Sequence, residues 1–191
     1  MAQAAPSGSQ TFEGADEGWL VGEISPGVHI SQTGQDATSG GVMSGADGVI
    51  GFNTTSGGSK SYQVYAGPAD STVSIKFTFD APINSFGTFV TGFDTRSSLA
   101  NLGKIHWTNS LGAQSVSFTN TLGLNNAQYL GFVDEGELFS EVTLTFNEVA
   151  GSPLRDTLQI DDVSYGVAVV PEPLSMVVLG AGMVAFTRRR R

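Results

Sequence analysis

Val73-Ser74-Ile75-Lys76-Phe77-Thr78-Phe79 decides the fold. Val73, Ile75, Phe77 and Phe79 fall on one parity, and Ser74, Lys76 and Thr78 fall on the other. Successive side chains of a strand point to opposite faces, so this alternation marks a strand with one buried and one solvated face, the habit of antiparallel sheets. Val142, Leu144 and Phe146 repeat it against Thr143 and Thr145. Further runs rich in β-branched and aromatic residues recur between clusters of Gly, Asn, Asp and Ser, each read as a strand: Val28–Thr33, Val49–Thr54, Ser61–Ala66, Ser85–Phe93, Lys104–Thr108, Ser115–Thr119, Gln128–Val133 and Asp156–Tyr165. No window of eleven or more residues before residue 170 carries a helical period. The pattern predicts an all-β fold, a two-sheet antiparallel β-sandwich of jelly-roll type over residues 10–167. Thr38–Gly48 and Ser56–Ser59 read as glycine-rich loops.

Charge narrows the partners. The chain carries 9 Lys/Arg and 18 Asp/Glu. Four of the nine cations are Arg188–Arg191, and Glu172 is the one acid beyond residue 170. Residues 1–170 therefore hold five cations against seventeen acids, a net charge of −12. Such a body repels nucleic acid and anionic lipid. Cysteine is absent, which excludes disulfides, thiol catalysis and cysteine-ligated metals.

The end of the chain departs from this pattern. Leu174–Thr187 is fourteen uncharged residues that include Leu174, Val177, Val178 and Leu179, and it runs directly into Arg188, Arg189, Arg190 and Arg191. As a helix it covers roughly 21 Å, against a hydrocarbon core of about 30 Å. The arginines extend its reach by snorkelling to headgroups. The alternative is a basic amphipathic or disordered tail. Just before the run stands Pro171-Glu172-Pro173, which alone reads as a stiff linker. Arginines beside a span stay cytoplasmic, which places the body across the membrane.

Together, Pro171-Glu172-Pro173, the apolar run and the arginine cluster resemble the PEP-CTERM sorting signal of exopolysaccharide-producing Gram-negative bacteria. The resemblance covers residues 168–191. It implies a precursor held transiently in the inner membrane by a short C-terminal helix. It also implies exosortase as the partner that cleaves near the tripeptide, and a mature body delivered to the cell surface or extracellular matrix. Export calls for an N-terminal signal, and residues 1–20 contain no apolar stretch. Ala2-Gln3-Ala4 is similar to the small-residue end of a signal peptide. Residues 1–9 then read as a residual signal-peptide end or a disordered N-terminus, with the natural chain beginning upstream of Met1.

Two stretches of the body carry candidate chemistry. Asp161 and Asp162 are adjacent in the last predicted strand, so one of them points inward with Ile160. A buried carboxylate needs a partner, and a cation would supply one; the alternative is a strand end whose carboxylates are solvated or bonded by backbone N–H groups. The start Thr11-Phe12-Glu13-Gly14 with Trp19, and the close Ile160-Asp161-Asp162-Val163-Ser164, are similar to jelly-roll carbohydrate-binding modules and galactose-binding-like domains. That resemblance implies a structural calcium held between first and last strands by Glu13 with Asp161 or Asp162, and an exopolysaccharide ligand.

Sugar binding also asks for an exposed aromatic ring. The candidates are Trp19, Tyr62 and Tyr65; the last two have opposite parity, so one of the pair is expected outside. Trp107 shares the parity of Ile105 and reads as core; Tyr129 is the other aromatic available. Catalysis is not expected. His29 and His106 have no spaced partner, no nucleophile elbow or phosphate loop occurs, and Asp134-Glu135-Gly136-Glu137 reads as a hydrated turn. The sequence thus points to an exported non-catalytic surface or matrix protein, with a calcium-braced carbohydrate-binding module as the alternative.

Overall fold

The structure is a computed structural model that describes residues 7–18, 21–33, 41–44, 58–66, 73–91, 102–119, 127–146 and 156–168. Among these residues the chain forms strands and turns without a helix. The strands are β1 (Gly8–Gln10), β2 (Gly22–Ser25), β3 (Val28–Thr33), β4 (Gly41–Ser44), β5 (Lys60–Ala66) and β6 (Val73–Ile83). They continue with β7 (Ser85–Thr91), β8 (Leu102–Asn109), β9 (Gly112–Thr119), β10 (Ala127–Val133), β11 (Phe139–Phe146) and β12 (Asp156–Gly166).

Two antiparallel sheets form a sandwich. The first runs β10-β7-β12-β5-β4, with β1 also on β12, and the second runs β2-β3-β6-β11-β8-β9. The alternation read in Val73–Phe79 extends through the whole of β6, where Val73, Ile75, Phe77, Phe79, Ala81 and Ile83 are all buried. Their face meets the first sheet. Phe77 packs on Phe86 with ring centroids 5.3 Å apart, and Phe79 packs on Tyr165 at 5.6 Å. Each such ring removed from water contributes about 1.5–3 kcal/mol. The opposite face of the second sheet is polar, with Lys76 paired to Glu141 at 2.6 Å and Thr33 bonded to Ser74 at 2.6 Å.

Strand β12 organises the first sheet. Strand β7 lines one edge; the other is shared by β5, opposite Asp156–Ile160, and by β1, opposite Val163–Tyr165. At the changeover the register to β7 slips between Asp161 and Ser164, and Asp162 takes φ 46°. This is a bulge, and an aspartate tolerates its left-handed conformation because its short polar side chain bonds locally. Phe12 has φ 59° and is fully buried against Tyr62, centroid to centroid 5.6 Å. Such a backbone costs a bulky residue on the order of 1–3 kcal/mol, offset here by burial of the ring.

Three short strands escape the sequence pattern. Strand β4 lies inside Thr38–Gly48, where a loop was expected: Val42 is fully buried, pairs with Tyr62 in β5, and exchanges two 2.8 Å backbone bonds with Gly18. Strand β1 takes Gly8 and Ser9 into the sheet, and β2 pairs with β3 through Gly22–Ser25. The expected strand Val49–Thr54, residues 1–6 and the expected helix over 174–187 lie outside the described residues. No helix among the described residues is long and apolar enough to cross a membrane.

Candidate functional site

The outward face of the first sheet carries the functional candidate. In β10, Leu130 and Phe132 pack toward the core, so Tyr129, Gly131 and Val133 point outward. In β7, Phe86 and Val90 are core residues, and Gly87 and Phe89 point outward. Register places Tyr129 opposite Phe89 and Gly131 opposite Gly87. These two glycines form a floor. A Cβ at Gly87 would collide with the Tyr129 hydroxyl end, and one at Gly131 would sit 2.8 Å from its ring edge. The ring therefore lies down along the sheet over a glycine pair instead of standing up from it.

Its position is fixed at both ends. Tyr129 Oη lies 3.2 Å from Ser164 Oγ, and Ser164 Oγ donates to the Gly87 carbonyl at 3.3 Å. The Phe89 ring meets Tyr129 edge-on, with centroids 5.1 Å apart and planes at 63°. Tyr129 is nevertheless 53% exposed. One ring face rests on the glycines, and the remainder is open to solvent beside a groove of about 510 Å³ that Ser85, Gly131, Val133 and Ser164 also line. An aromatic ring held flat, with hydroxyls beside it, suits a ligand with one apolar C–H face and a polar rim.

Across the sheet the face turns polar. Asp161 in β12 lies opposite Phe89; Gln159 lies opposite Gln63 of β5. Asp161, Gln159 and Gln63 share outward parity, since Ile160, Tyr62 and Val64 belong to the core. All three are buried.

The residues singled out in the sequence distribute differently. Tyr62 is not a ligand platform: it is fully buried on the inward side of β5, and burial pushes its hydroxyl pKa up. Tyr65 lies in β5 opposite Thr157, and Trp19 lies outside the described residues, as do Pro171, Glu172, Pro173 and the tail to Arg191. Tyr129 lies three strands from Tyr62 and Tyr65 of β5, and the sequence does not reveal its glycine floor because that floor comes from two separate strands.

Glu13 also has a definite role. Its Oε1 accepts the N–H groups of Ser59 and Lys60, both at 2.7 Å, and its Oε2 accepts Ser59 Oγ at 2.8 Å. The Lys60 and Ser59 donors hold its carboxyl below the usual value. Asp161 is the solvent-free carboxylate of the adjacent pair, buried on the outward parity rather than inward with Ile160, and its Oδ1 accepts the Asp162 N–H at 2.8 Å. Both Glu13 oxygens and Asp161 Oδ1 face N–H or O–H donors. Among the described residues no group of three or more acidic or histidine side chains is placed to share an ion. A calcium site draws six to eight oxygens onto one point, backbone carbonyls included.

The acidic turn is more than a hydrated loop. Asp134 Oδ2 accepts Trp107 Nε1 at 2.6 Å and Asn109 Nδ2 at 2.8 Å, and Glu137 accepts the Ser110 hydroxyl. Trp107 is half-buried and stacks on Phe132 with centroids 3.8 Å apart. His29 Nε2 bonds Asp80 at 3.0 Å and His106 Nε2 lies 2.9 Å from Thr145 Oγ1; both contacts lie on the outer face of the second sheet.

Comparison with known proteins yields the fold. No protein-family model matches the chain, and no curated protein matches its sequence. Among solved structures, the K2 cleaved adhesin domain of Lys-gingipain aligns at 12% identity and TM-score 0.50, covering 85% of this chain and 100% of that one. TmCBM61, solved with β-1,4-galactotriose, aligns at 17% identity and TM-score 0.45, covering 77% of this chain and 92% of that one. The enzymatically active domain of the bacteriophage CBA120 tailspike protein 4 aligns at 18% identity and TM-score 0.43, over 74% of this chain and only 19% of that one. At these identities the likeness is one of β-sandwich architecture.

Proposed function

We propose that the body is an exported, non-catalytic β-sandwich that binds a neutral polysaccharide on the outward face of its first sheet, and that residues 168–191 are an exosortase sorting signal that delivers it to the cell surface or matrix. The observation that carries the binding reading is Tyr129, 53% exposed and laid flat over Gly87 and Gly131. A ring in that posture offers its face to the C–H side of a sugar, while the Ser164 hydroxyl stands at its rim and Ser85 lines the groove beside it. No lining residue of the groove is charged, and the chain as a whole carries −9. Both features favour uncharged glycans over uronates or sulfated chains, which the acidic body repels.

The sorting reading is supported by sequence alone: Pro171-Glu172-Pro173, the apolar run to Thr187 and Arg188–Arg191 in that order. It fits the binding reading, since a polysaccharide ligand is met outside the cell. Screening residues 7–168 on a polysaccharide array tests the binding claim, with retention on one or more neutral polysaccharides expected. Retention on none removes sugar binding and leaves a surface or matrix protein without a glycan ligand.

A further inference from the structure

Residues 105–133 contain none of the chain's Lys, Arg, Asp or Glu, the longest such run in an acidic sequence. The fold gathers the strands of that run on one flank. They are most of β8 and the whole of β9 and β10, the last two being edge strands of the two sheets. The edges on the other flank are blunted. Strand β4 is four residues long, and its Val42 exchanges backbone bonds with Gly18. Strand β2 is also four residues long, carries Glu23 and is broken by a bulge. Strand β9 has none of these devices: Gly112–Thr119 runs eight residues in unbroken register with β8, without a charge or a proline. Among the described residues it pairs with β8 alone. A long, uncharged edge offers its outward main-chain groups to another strand.

Two observations select the strand that meets it. The first is a core-facing residue left in solvent. Trp107 of β8 stacks on Phe132 of β10, so the first sheet ends above β8 and β9 projects beyond it. Val116 stands opposite Ile105, on the parity that faces the core, yet Ile105 is 1% exposed and Val116 44%. In β10, the other uncharged edge, the inward Leu130 and Phe132 are packed on the core. The second observation is the pattern of main-chain groups. Ser110 and Leu111 form a two-residue turn closed by the pair Asn109–Gly112, which exchanges both its bonds. Along β9 the bonds then alternate. Gly112, Gln114, Val116 and Phe118 turn their N–H and C=O toward β8, and Ala113, Ser115, Ser117 and Thr119 turn theirs outward. Those four are spaced symmetrically about Val116. An antiparallel copy of the same strand, with Val116 on a two-fold axis, puts Ala113 opposite Thr119 and Ser115 opposite Ser117. Every outward N–H and C=O is then bonded, and the two Val116 side chains cover each other. Charge favours the same partner: this strip is where one acidic body meets another without repulsion.

We infer that β9 is a homodimer edge: two copies of this chain pair antiparallel through Ala113–Thr119, with Val116 on the two-fold axis, and join their second sheets into one. This register keeps the core-facing residues of both copies on one side of the joined sheet. Both first sheets therefore lie on that side, and their outer faces, which carry Tyr129, look the same way. The interface stands without the sugar-binding reading; where that reading holds, one polysaccharide engages two copies at once.

The chain has no cysteine, so single cysteines report the pairing directly. The full chain, kept in a nonionic detergent that covers the apolar run 174–187, is oxidised mildly and run on a non-reducing gel. Val116→Cys should cross-link into a dimer, because a residue on the axis of a non-hydrogen-bonded pair meets its copy at about 4.5 Å between Cα atoms. Ser115→Cys should stay monomeric, since its copy is then a diagonal neighbour about 7–8 Å away. Met43→Cys, exposed on the blunted edge β4, should stay monomeric too. Cross-linking at Ser115 in preference to Val116 overturns the register. Equal cross-linking at all three positions, or none at Val116, overturns the interface. Adding Ser115→Pro to Val116→Cys removes an outward N–H without touching the β8 ladder and should abolish the cross-link; its persistence overturns the pairing. Should the proline variant fail to fold, Val116→Lys, at an exposed site, sets like charges opposite each other on the axis. It should sediment as a monomer at concentrations where wild type is a dimer, and a dimer that survives the lysine overturns the pairing as well.

Discussion

The indole of Trp107 and the carboxylate of Asp134 are joined by a 2.6 Å hydrogen bond from Nε1 to Oδ2, across 27 residues of sequence. Trp107 is in β8 of the second sheet, and Asp134 directly follows β10 of the first. The bond therefore ties the two sheets at the side where Trp107 stacks on Phe132. Asp134→Ala removes the acceptor of both Trp107 and Asn109. Bonds to a charged acceptor are worth about 1.5–3 kcal/mol when buried, and less at this half-exposed position. We expect a loss of about 1–2 kcal/mol in urea unfolding, with Asp134→Asn intermediate; an unchanged midpoint would show that water replaces the bond at no cost.

Glu13 makes stability depend on pH. Its ordinary value is 4.5, lowered in the folded chain by the Lys60 backbone bond, then by the Ser59 hydroxyl and N–H. A depressed carboxylate contributes stability that is fully present above the unfolded value and is lost as pH falls through the folded one. Glu13→Gln should leave the melting temperature near pH 7 lower than wild type. It should also flatten the decline below about pH 4.5, compared by melts from pH 7 to pH 3. Parallel acid limbs in the two proteins would remove Glu13 from the account. Because its oxygens serve N–H and O–H donors, adding EDTA should not shift the wild-type melt; a fall would bear out the calcium expectation.

Gly87→Ala tests the platform without touching an aromatic residue. The added methyl collides with the Tyr129 hydroxyl end, so the ring must lift from the sheet. Polysaccharide retention should fall toward that of Tyr129→Ala, whereas Tyr129→Phe, which keeps the ring and loses only the 3.2 Å contact to Ser164, should retain most of it. Equal retention by Gly87→Ala and wild type would separate ring posture from binding.

Gly103 carries a second ring, that of Phe118, on the inward side of the second sheet, where Phe118 is 5% exposed. Gly103→Ala overpacks that contact and should cost about 1–3 kcal/mol, read as a lowered urea midpoint with unchanged polysaccharide retention.

For the tail, replacing Glu172 or deleting Arg188–Arg191 should leave an unprocessed, membrane-bound precursor in a host that has exosortase. Normal maturation of both variants would refute the sorting reading.

How much of this was legible in the sequence follows from what each feature depends on. Strand β3 is Val28–Thr33 in both readings, and β6 is found by its alternation, because parity is a local property written in consecutive residues. The sequence reads Gly41-Val42-Met43-Ser44 as loop because four residues are too short to show a period; they form β4 because Val42 finds Gly18 and Tyr62. The adjacent aspartates announce one buried carboxylate, but Asp161 is buried on the outward parity and not beside Ile160 in the core. Parity also said that only one of Tyr62 and Tyr65 faces out, yet it cannot say which, and Tyr62 is the core residue. Tyr129 was invisible as a platform, since its floor of Gly87 and Gly131 exists only once β7 and β10 are in register. The same holds for the buried Gln63 and Gln159, which are 96 residues apart until β5 meets β12.

Strand β12 has a consequence for the order of events in the cell. It occupies the middle of its sheet, bonded to β7 on one side and to β5 and β1 on the other, yet it spans residues 156–166. Until that segment is available, β10-β7 and β5-β4 are two separate ribbons with no common spine, and β1 has nothing to join. Closing the sheet requires contacts between ends some 150 residues apart, the kind that form slowly. A chain still lacking residues 156–166 is thus kept from completing its fold, and the sandwich locks only once its last strand has joined.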